Sequence, residues 1–187
     1  MTQAYIRIGN IGIERSHPDY AAASVMNYIL GGAGFGSRLM KRLREEQGLT
    51  YGVFSNIWLG RQPGYFFAVT QTGMETMNEA LATMLTEIER FLEQGVTEEE
   101  LIWTKKFLTG SLPLTLETND QLAQKLLEQE FFGLCDYFWL EDLKRMQAVT
   151  ADEVREVARR HIHPDRFAIV VLGDFREHEL KVGPQEG

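Results

Sequence analysis

Residues 51–71 read Tyr51-Gly52-Val53-Phe54-Ser55-Asn56-Ile57-Trp58-Leu59-Gly60-Arg61-Gln62-Pro63-Gly64-Tyr65-Phe66-Phe67-Ala68-Val69-Thr70-Gln71. Two runs rich in aromatic and β-branched residues, 51–59 and 65–71, flank a turn-forming Arg61-Gln62-Pro63-Gly64. This is the pattern of a β-hairpin. A hairpin requires antiparallel pairing, so the chain is not a strict βαβ alternation. Upstream, residues 4–13 carry Ile6, Ile8 and Ile11 and predict a further strand. Downstream, Phe167 to Leu172 is continuously apolar, which predicts a strand buried on both faces.

The segments between read as helices. Ser16-x-x-Asp19 with Pro18 resembles a capping box and predicts a helix running to about Leu30. Gly31-Gly32-Ala33-Gly34-Phe35-Gly36 breaks it. A shorter helix from Ser37 carries Leu39, Met40 and Leu43 on one side, and Gly48 suits its left-handed end. Met74 to Leu92 holds the clearest amphipathic pattern, closed by Gly95. Thr97-x-x-Glu100 opens the next helix, and Pro113 predicts a bend or break. The pattern resumes near Leu122 and stops at Gly133. Tyr137 to Met146 and a Thr150-x-x-Glu153 start, ending near His161, complete the set. The order β-α-α-β-β-α-α-α-α-α-β predicts an α+β fold. Its form is two layers: a largely antiparallel sheet with helices packed on one face. Residues 1–187 read as one domain, with 175–187 a polar, frayed tail.

Composition narrows the function. Of 187 residues, 44% are hydrophobic and 25% charged, which is ordinary for a globular chain. Nineteen Lys and Arg against 27 Asp and Glu give a net charge of −8. That argues against nucleic-acid binding, which needs a positive field. The single cysteine, Cys135, excludes an intramolecular disulfide and a Cys-based zinc cage. Its neighbours Phe131, Phe132 and Leu134 suggest a buried thiol. No run of about 18 apolar residues occurs, so no transmembrane segment is expected. Residues 1–10 lack the apolar core of a signal peptide. The cytoplasm is therefore favoured, with the periplasm open if a targeting segment precedes Met1.

Most candidate sites have plain structural readings. The glycine cluster lacks the Gly-Lys-Ser/Thr ending of a P-loop and follows a helix rather than a strand, so it is no nucleotide fingerprint. It reads as a helix-to-helix turn, with close approach to a peptide as the alternative. Neither His-Glu-x-x-His nor His-x-x-Glu-His is present. His161-x-His163 offers two nitrogens but implies no third ligand, and it suits a helix C-terminus. No Gly-x-Ser-x-Gly elbow occurs. Arg38, Lys41, Arg42 and Arg44, followed by Glu45 and Glu46, read as a solvated helix face with local ion pairs. Arg44 and Tyr51 flank the Gly48 turn and can meet at one corner. There they would offer a forked cation and a neutral O–H donor to a peptide carbonyl. Spacing alone favours the plain reading, a surface arginine and a core tyrosine.

Leu30-Gly31-Gly32, Phe35, Ser37-Arg38-Leu39-Met40, Leu43-Arg44-Glu45 and Gly48-Leu49-Thr50-Tyr51 together resemble the non-metal half of the pitrilysin/insulinase-type zinc peptidases. Mitochondrial processing peptidase is related to that family. The Thr97–Leu101 helix start, the bend at Gly110 to Pro113, Glu130–Gly133, Thr150–Val154 and Val170–Asp174 extend the likeness along most of the chain. Ala33 and Gly36 depart from the familiar glycine and serine. The resemblance implies a C-terminal, inactive domain that faces a zinc-bearing homologous half, fused upstream or separate. It implies that Arg44 and Tyr51 reach a peptide substrate held between the halves. No cofactor is expected in this chain, zinc is expected in the other half, and the chain would not be active alone. The alternative within the same superfamily is a catalytically silent structural subunit.

Overall fold

In a computed structural model of the chain, which describes residues 2–181, four strands form one antiparallel sheet in the order β2-β3-β1-β4. They are β1 (Gln3–Ile11), β2 (Thr50–Trp58), β3 (Tyr65–Gly73) and β4 (Ala168–Leu172). The helices are α1 (Tyr20–Asn27), α2 (Arg38–Met40), α3 (Met77–Gln94), α4 (Glu98–Ser111), α5 (Asn119–Phe132), α6 (Phe138–Ala148) and α7 (Ala151–His161). The α+β expectation and the 51–71 hairpin are both borne out.

Strand alternation decides which face is covered. Ala4, Ile6 and Ile8 of β1 are fully buried, whereas Tyr5 and Arg7 between them are exposed. Ile8 sits opposite Ala68 and Ile169, so all three strands turn the same side toward the helices. Met77, Leu81, Met84, Ile88 and Phe91 of α3 and Val154 and Ala158 of α7 close over that side. Each fully buried Val, Leu, Ile, Phe or Met side chain contributes about 1.5–3 kcal/mol.

The β4 expectation needs correction. It is an edge strand, not one buried on both faces: Ile169 and Val171 face the helices, while Val170 and Leu172 are 53% and 61% exposed. The run is apolar throughout because the uncovered face is itself apolar, with Tyr5, Phe54, Trp58 and Tyr65 exposed beside it. The Ser16 cap is also absent. Helix α1 begins at Tyr20, and the Ser16 hydroxyl donates to Glu14 instead. Asp19 occupies the cap position, but its carboxylate accepts from Arg160 and lies against His161.

The glycine cluster does not stop helicity at once. Beyond α1 the chain widens into a π-helical turn over Tyr28–Gly32, and the Ala33 N–H reaches the Tyr28 carbonyl at 2.9 Å. Gly31 packs directly on β2, where a Cβ would lie 2.4 Å from Ser55 Oγ. Asn27 and Ser55 join helix to strand, Ser55 Oγ donating to Asn27 Oδ1 at 2.8 Å. Both predicted capping boxes, Thr97/Glu100 and Thr150/Glu153, are present, and Thr118/Gln121 adds a third at the start of α5.

Two arginines tie together segments distant in the chain. Arg15, 5% exposed, bonds Asp142 and Glu128 and lies 3.9 Å from the Tyr20 ring centroid. Arg38 forks onto Glu100 at 2.6 and 2.7 Å and donates to the Gly95 carbonyl at 2.8 Å. Burial resists ionisation of Glu100, but its bonds from Arg38 and Thr97 outweigh that and hold its carboxyl below the usual 4.5. A carboxyl lowered in the folded state contributes stability above its unfolded value and loses it as pH falls through the folded value. The stability difference between wild type and Glu100→Gln should therefore be full at neutral pH and close on acidification below pH 4.5. Thermal denaturation across a pH series measures it. A gap that widens on acidification would contradict this reading of Glu100.

The polar tail is held as far as Lys181. Asn78 receives the Lys181 N–H at 2.9 Å and donates to the Glu179 carbonyl at 2.8 Å, and Leu180 packs against the core. Residues 182–187 of the expected frayed tail lie outside the described residues. Among the described residues no helix is long and apolar enough to cross a membrane.

Candidate functional site

Arg44 comes from a second wide turn, Lys41–Glu46, that continues α2. Leu43 is fully buried and fixes the rotation of that turn, which leaves Arg44 partly exposed on its flank. The turn ends as expected at Gly48, with φ +65°. The Gly48 N–H bonds the Arg44 carbonyl at 3.1 Å and the Leu49 N–H bonds the Leu43 carbonyl at 2.8 Å. This abrupt stop delivers the chain into β2 within two residues.

The Arg44 guanidinium lies over the Phe35 ring, 4.4 Å from its centroid. Phe35 projects from the short Gly34–Gly36 turn and is itself 66% exposed. Among the described residues no hydrogen bond or ion pair engages the Arg44 side chain. Its neighbour Arg42, by contrast, pairs with Glu46 at 2.6 Å, as a solvated helix face should. Arg44 is thus held by an aromatic face while its forked donors stay unspent.

Tyr51 is 89% exposed, which rules out a core tyrosine. A β-bulge presents it: the register passes from Thr50 opposite Thr72 to Val53 opposite Thr70, leaving Tyr51 and Gly52 against one partner position. Buried threonine hydroxyls satisfy the bulged backbone. Thr50 Oγ1 donates to the Gln71 carbonyl at 2.7 Å and accepts from the Gly52 N–H at 3.1 Å. Thr70 Oγ1 donates to the Gly52 carbonyl at 2.9 Å. The Tyr51 hydroxyl has no hydrogen-bond partner among the described residues. An exposed side chain therefore stands on a buried, bonded base.

Arg44 and Tyr51 are each presented toward solvent without a bond to the other. Sequence reasoning missed Phe35 as the support of Arg44, and Thr50 and Thr70 as the support of Tyr51. The threonines had a signal: a strand alternation that places Thr70 and Thr72 at core-facing positions calls for hydroxyl partners there.

The other candidates separate cleanly. Cys135 is exposed rather than buried, because the chain after α5 runs over the surface. His161 does end α7, but its ring turns to Asp19 and His17, not to His163. The glycines serve turn and packing: Gly34 has φ +56°, and a Cβ on Gly36 would meet Trp103 at 2.7 Å.

Comparison with known proteins agrees with this architecture. The family model for the peptidase M16 inactive domain matches residues 1–108. A Helicobacter pylori protein named non-peptidase homolog YmxG is 32% identical over 90% of this chain and 39% of its own length. A Streptomyces coelicolor protein named an uncharacterized zinc protease is 30% identical over 95% of this chain and 38% of its own. The crystal structure of a peptidase M16 inactive domain from Pseudomonas fluorescens superposes with a TM-score of 0.85 at 33% identity, covering 91% of this chain and 41% of that one. The chain spans about two-fifths of the length of these relatives. A match over more than half of the chain, together with relatives at 30% identity or more along nearly all of it, carries one conclusion: the chain belongs to the peptidase M16 inactive domain family.

Proposed function

We propose that this chain is the non-metal half of a two-half zinc peptidase and that Arg44 and Tyr51 hold the peptide against the site of the other half. The observation that carries the reading is the pairing of free donors with fixed supports. Arg44 rests on Phe35, and Tyr51 stands on the Thr50/Thr70 bulge, yet neither spends its polar atoms within the chain.

The sequence lacks a histidine–glutamate zinc motif, so the zinc belongs to the homologous half, where it would supply Lewis-acid activation of the attacking water. This chain's residues do the rest. Arg44 holds a carbonyl or carboxylate of the peptide through its forked N–H donors. Tyr51 donates its O–H to the scissile carbonyl as that oxygen gathers negative charge.

A silent structural subunit is the second reading, and the name of the Helicobacter pylori relative, a non-peptidase homolog, favours it. Peptide cleavage by the complete two-half protein separates the two. Under the peptidase reading, Arg44→Ala lowers kcat/KM by about tenfold or more, chiefly through KM, because a charge-assisted bond is lost in both bound states. A complete assembly that cleaves no peptide, or one in which Arg44→Ala cleaves as well as wild type, would favour the silent subunit.

A further inference from the structure

We propose that His17, Asp19 and His161 form a site for a divalent transition-metal ion of the zinc type. The three come from the two ends of the chain. His17 and Asp19 lie in the loop before α1, and His161 is the last residue of α7. One ligand atom from each lies within 4.8 Å of the others. Two imidazoles and one carboxylate are a zinc-type donor set that leaves a fourth position for water.

The spacing suits such an ion. Metal–ligand bonds of about 2.0 Å in a tetrahedron place neighbouring ligand atoms about 3.3 Å apart. His161 Nε2 lies 2.7 Å and His17 Nδ1 lies 3.9 Å from Asp19 Oδ2. Each distance differs from that edge by about 0.6 Å, within reach of small side-chain rotations. His17 Nδ1 accepts the Asp19 N–H at 3.1 Å, so its lone pair already faces that backbone group and would have to turn from it to a bound ion. All three side chains are partly buried, which limits competition from bulk water.

Arg160 supplies the counter-charge when no metal is bound. Its guanidinium sits 2.7 Å from the same Asp19 oxygen, yet 56% of its side chain is exposed. A metal ion would take over that carboxylate and release Arg160 into solvent. A metal ion and the Arg160 guanidinium therefore compete for the negative charge of Asp19, and this fixes the sign of a mutational effect.

The test is cobalt(II) titration of the full chain followed by visible absorption, with zinc as competitor. The wild type should develop saturable d–d bands at one equivalent, displaced by zinc. Asp19→Asn and His161→Ala should each weaken binding by about tenfold or more. Arg160→Gln should tighten it severalfold by removing the competing cation. No saturable signal would overturn the site. So would unchanged affinity in Asp19→Asn and His161→Ala, which would place the ion on other histidines. Unchanged or weaker binding in Arg160→Gln would overturn the shared-carboxylate geometry. Circular dichroism confirms that each variant is folded, and Asp19→Asn alone decides the case if His161→Ala is not.

Discussion

Tyr51→Phe in the complete two-half protein should lower kcat by about 10²–10³ while zinc content and thermal stability stay at wild-type values. The substitution removes one oxygen and keeps the ring. That ring is 89% exposed, so almost no packing is lost. The hydroxyl has no partner within the described residues, so no internal bond is broken either. What disappears is a donor aimed at a carbonyl that becomes negative only during the reaction. An interaction confined to the transition state lowers kcat and kcat/KM together and leaves KM nearly unchanged. Arg44→Ala should behave differently, acting mainly on KM, because its partner is charged or polar before the reaction begins. Wild-type kcat in Tyr51→Phe would remove Tyr51 from the mechanism.

Arg15→Ala should cost about 3–5 kcal/mol of stability. Arg15 is 5% exposed and serves two carboxylates, Asp142 and Glu128, whose side chains are 14% and 23% exposed. It also covers the Tyr20 ring at 3.9 Å. Burial already pushes the Asp142 carboxyl above its usual value, against the lowering effect of Arg15. Removing the arginine leaves that charge buried without compensation. For a chain of this size the loss corresponds to a Tm lower by about 10 °C. Adding Asp142→Asn to the variant should recover part of it, since the orphaned charge is the main cost. Urea denaturation of both proteins checks the claim. A loss below about 1 kcal/mol would mean that the cluster behaves as a surface ion pair.

The parts of the fold legible in the sequence were those whose signal is local. The 51–71 hairpin, the Gly48 stop and the two threonine capping boxes each rest on a few adjacent residues and stand where expected. The misreadings share a different cause. The apolar run of β4 predicts a doubly buried strand, but burial depends on what covers the second face, and among the described residues Val170 and Leu172 stay exposed there. Ser16 lost its capping role because Asp19 was drawn to Arg160 and His161, which are 141 and 142 residues away in the chain.

The same division holds at the candidate site. The residue types and context of Arg44 and Tyr51 were visible, but their supports were not. The contact of Arg44 with Phe35 depends on how the glycine turn folds over β2. The exposure of Tyr51 depends on a bulge whose hydroxyl partners lie on the neighbouring strand. His161 was read with His163 because the two are close in sequence. The structure pairs it instead with His17 and Asp19 from the other end of the chain.

The central claim is that this chain completes a zinc site carried by a homologous half. Capturing it in native form from cells, identifying the material by peptide mass spectrometry and counting zinc per complex tests that most directly. The account predicts a His-x-x-Glu-His sequence, either upstream in the same chain or in a co-captured subunit, with zinc bound to that half. Recovery of the chain alone, or only with partners that lack the motif, would contradict the peptidase account and leave the silent structural subunit.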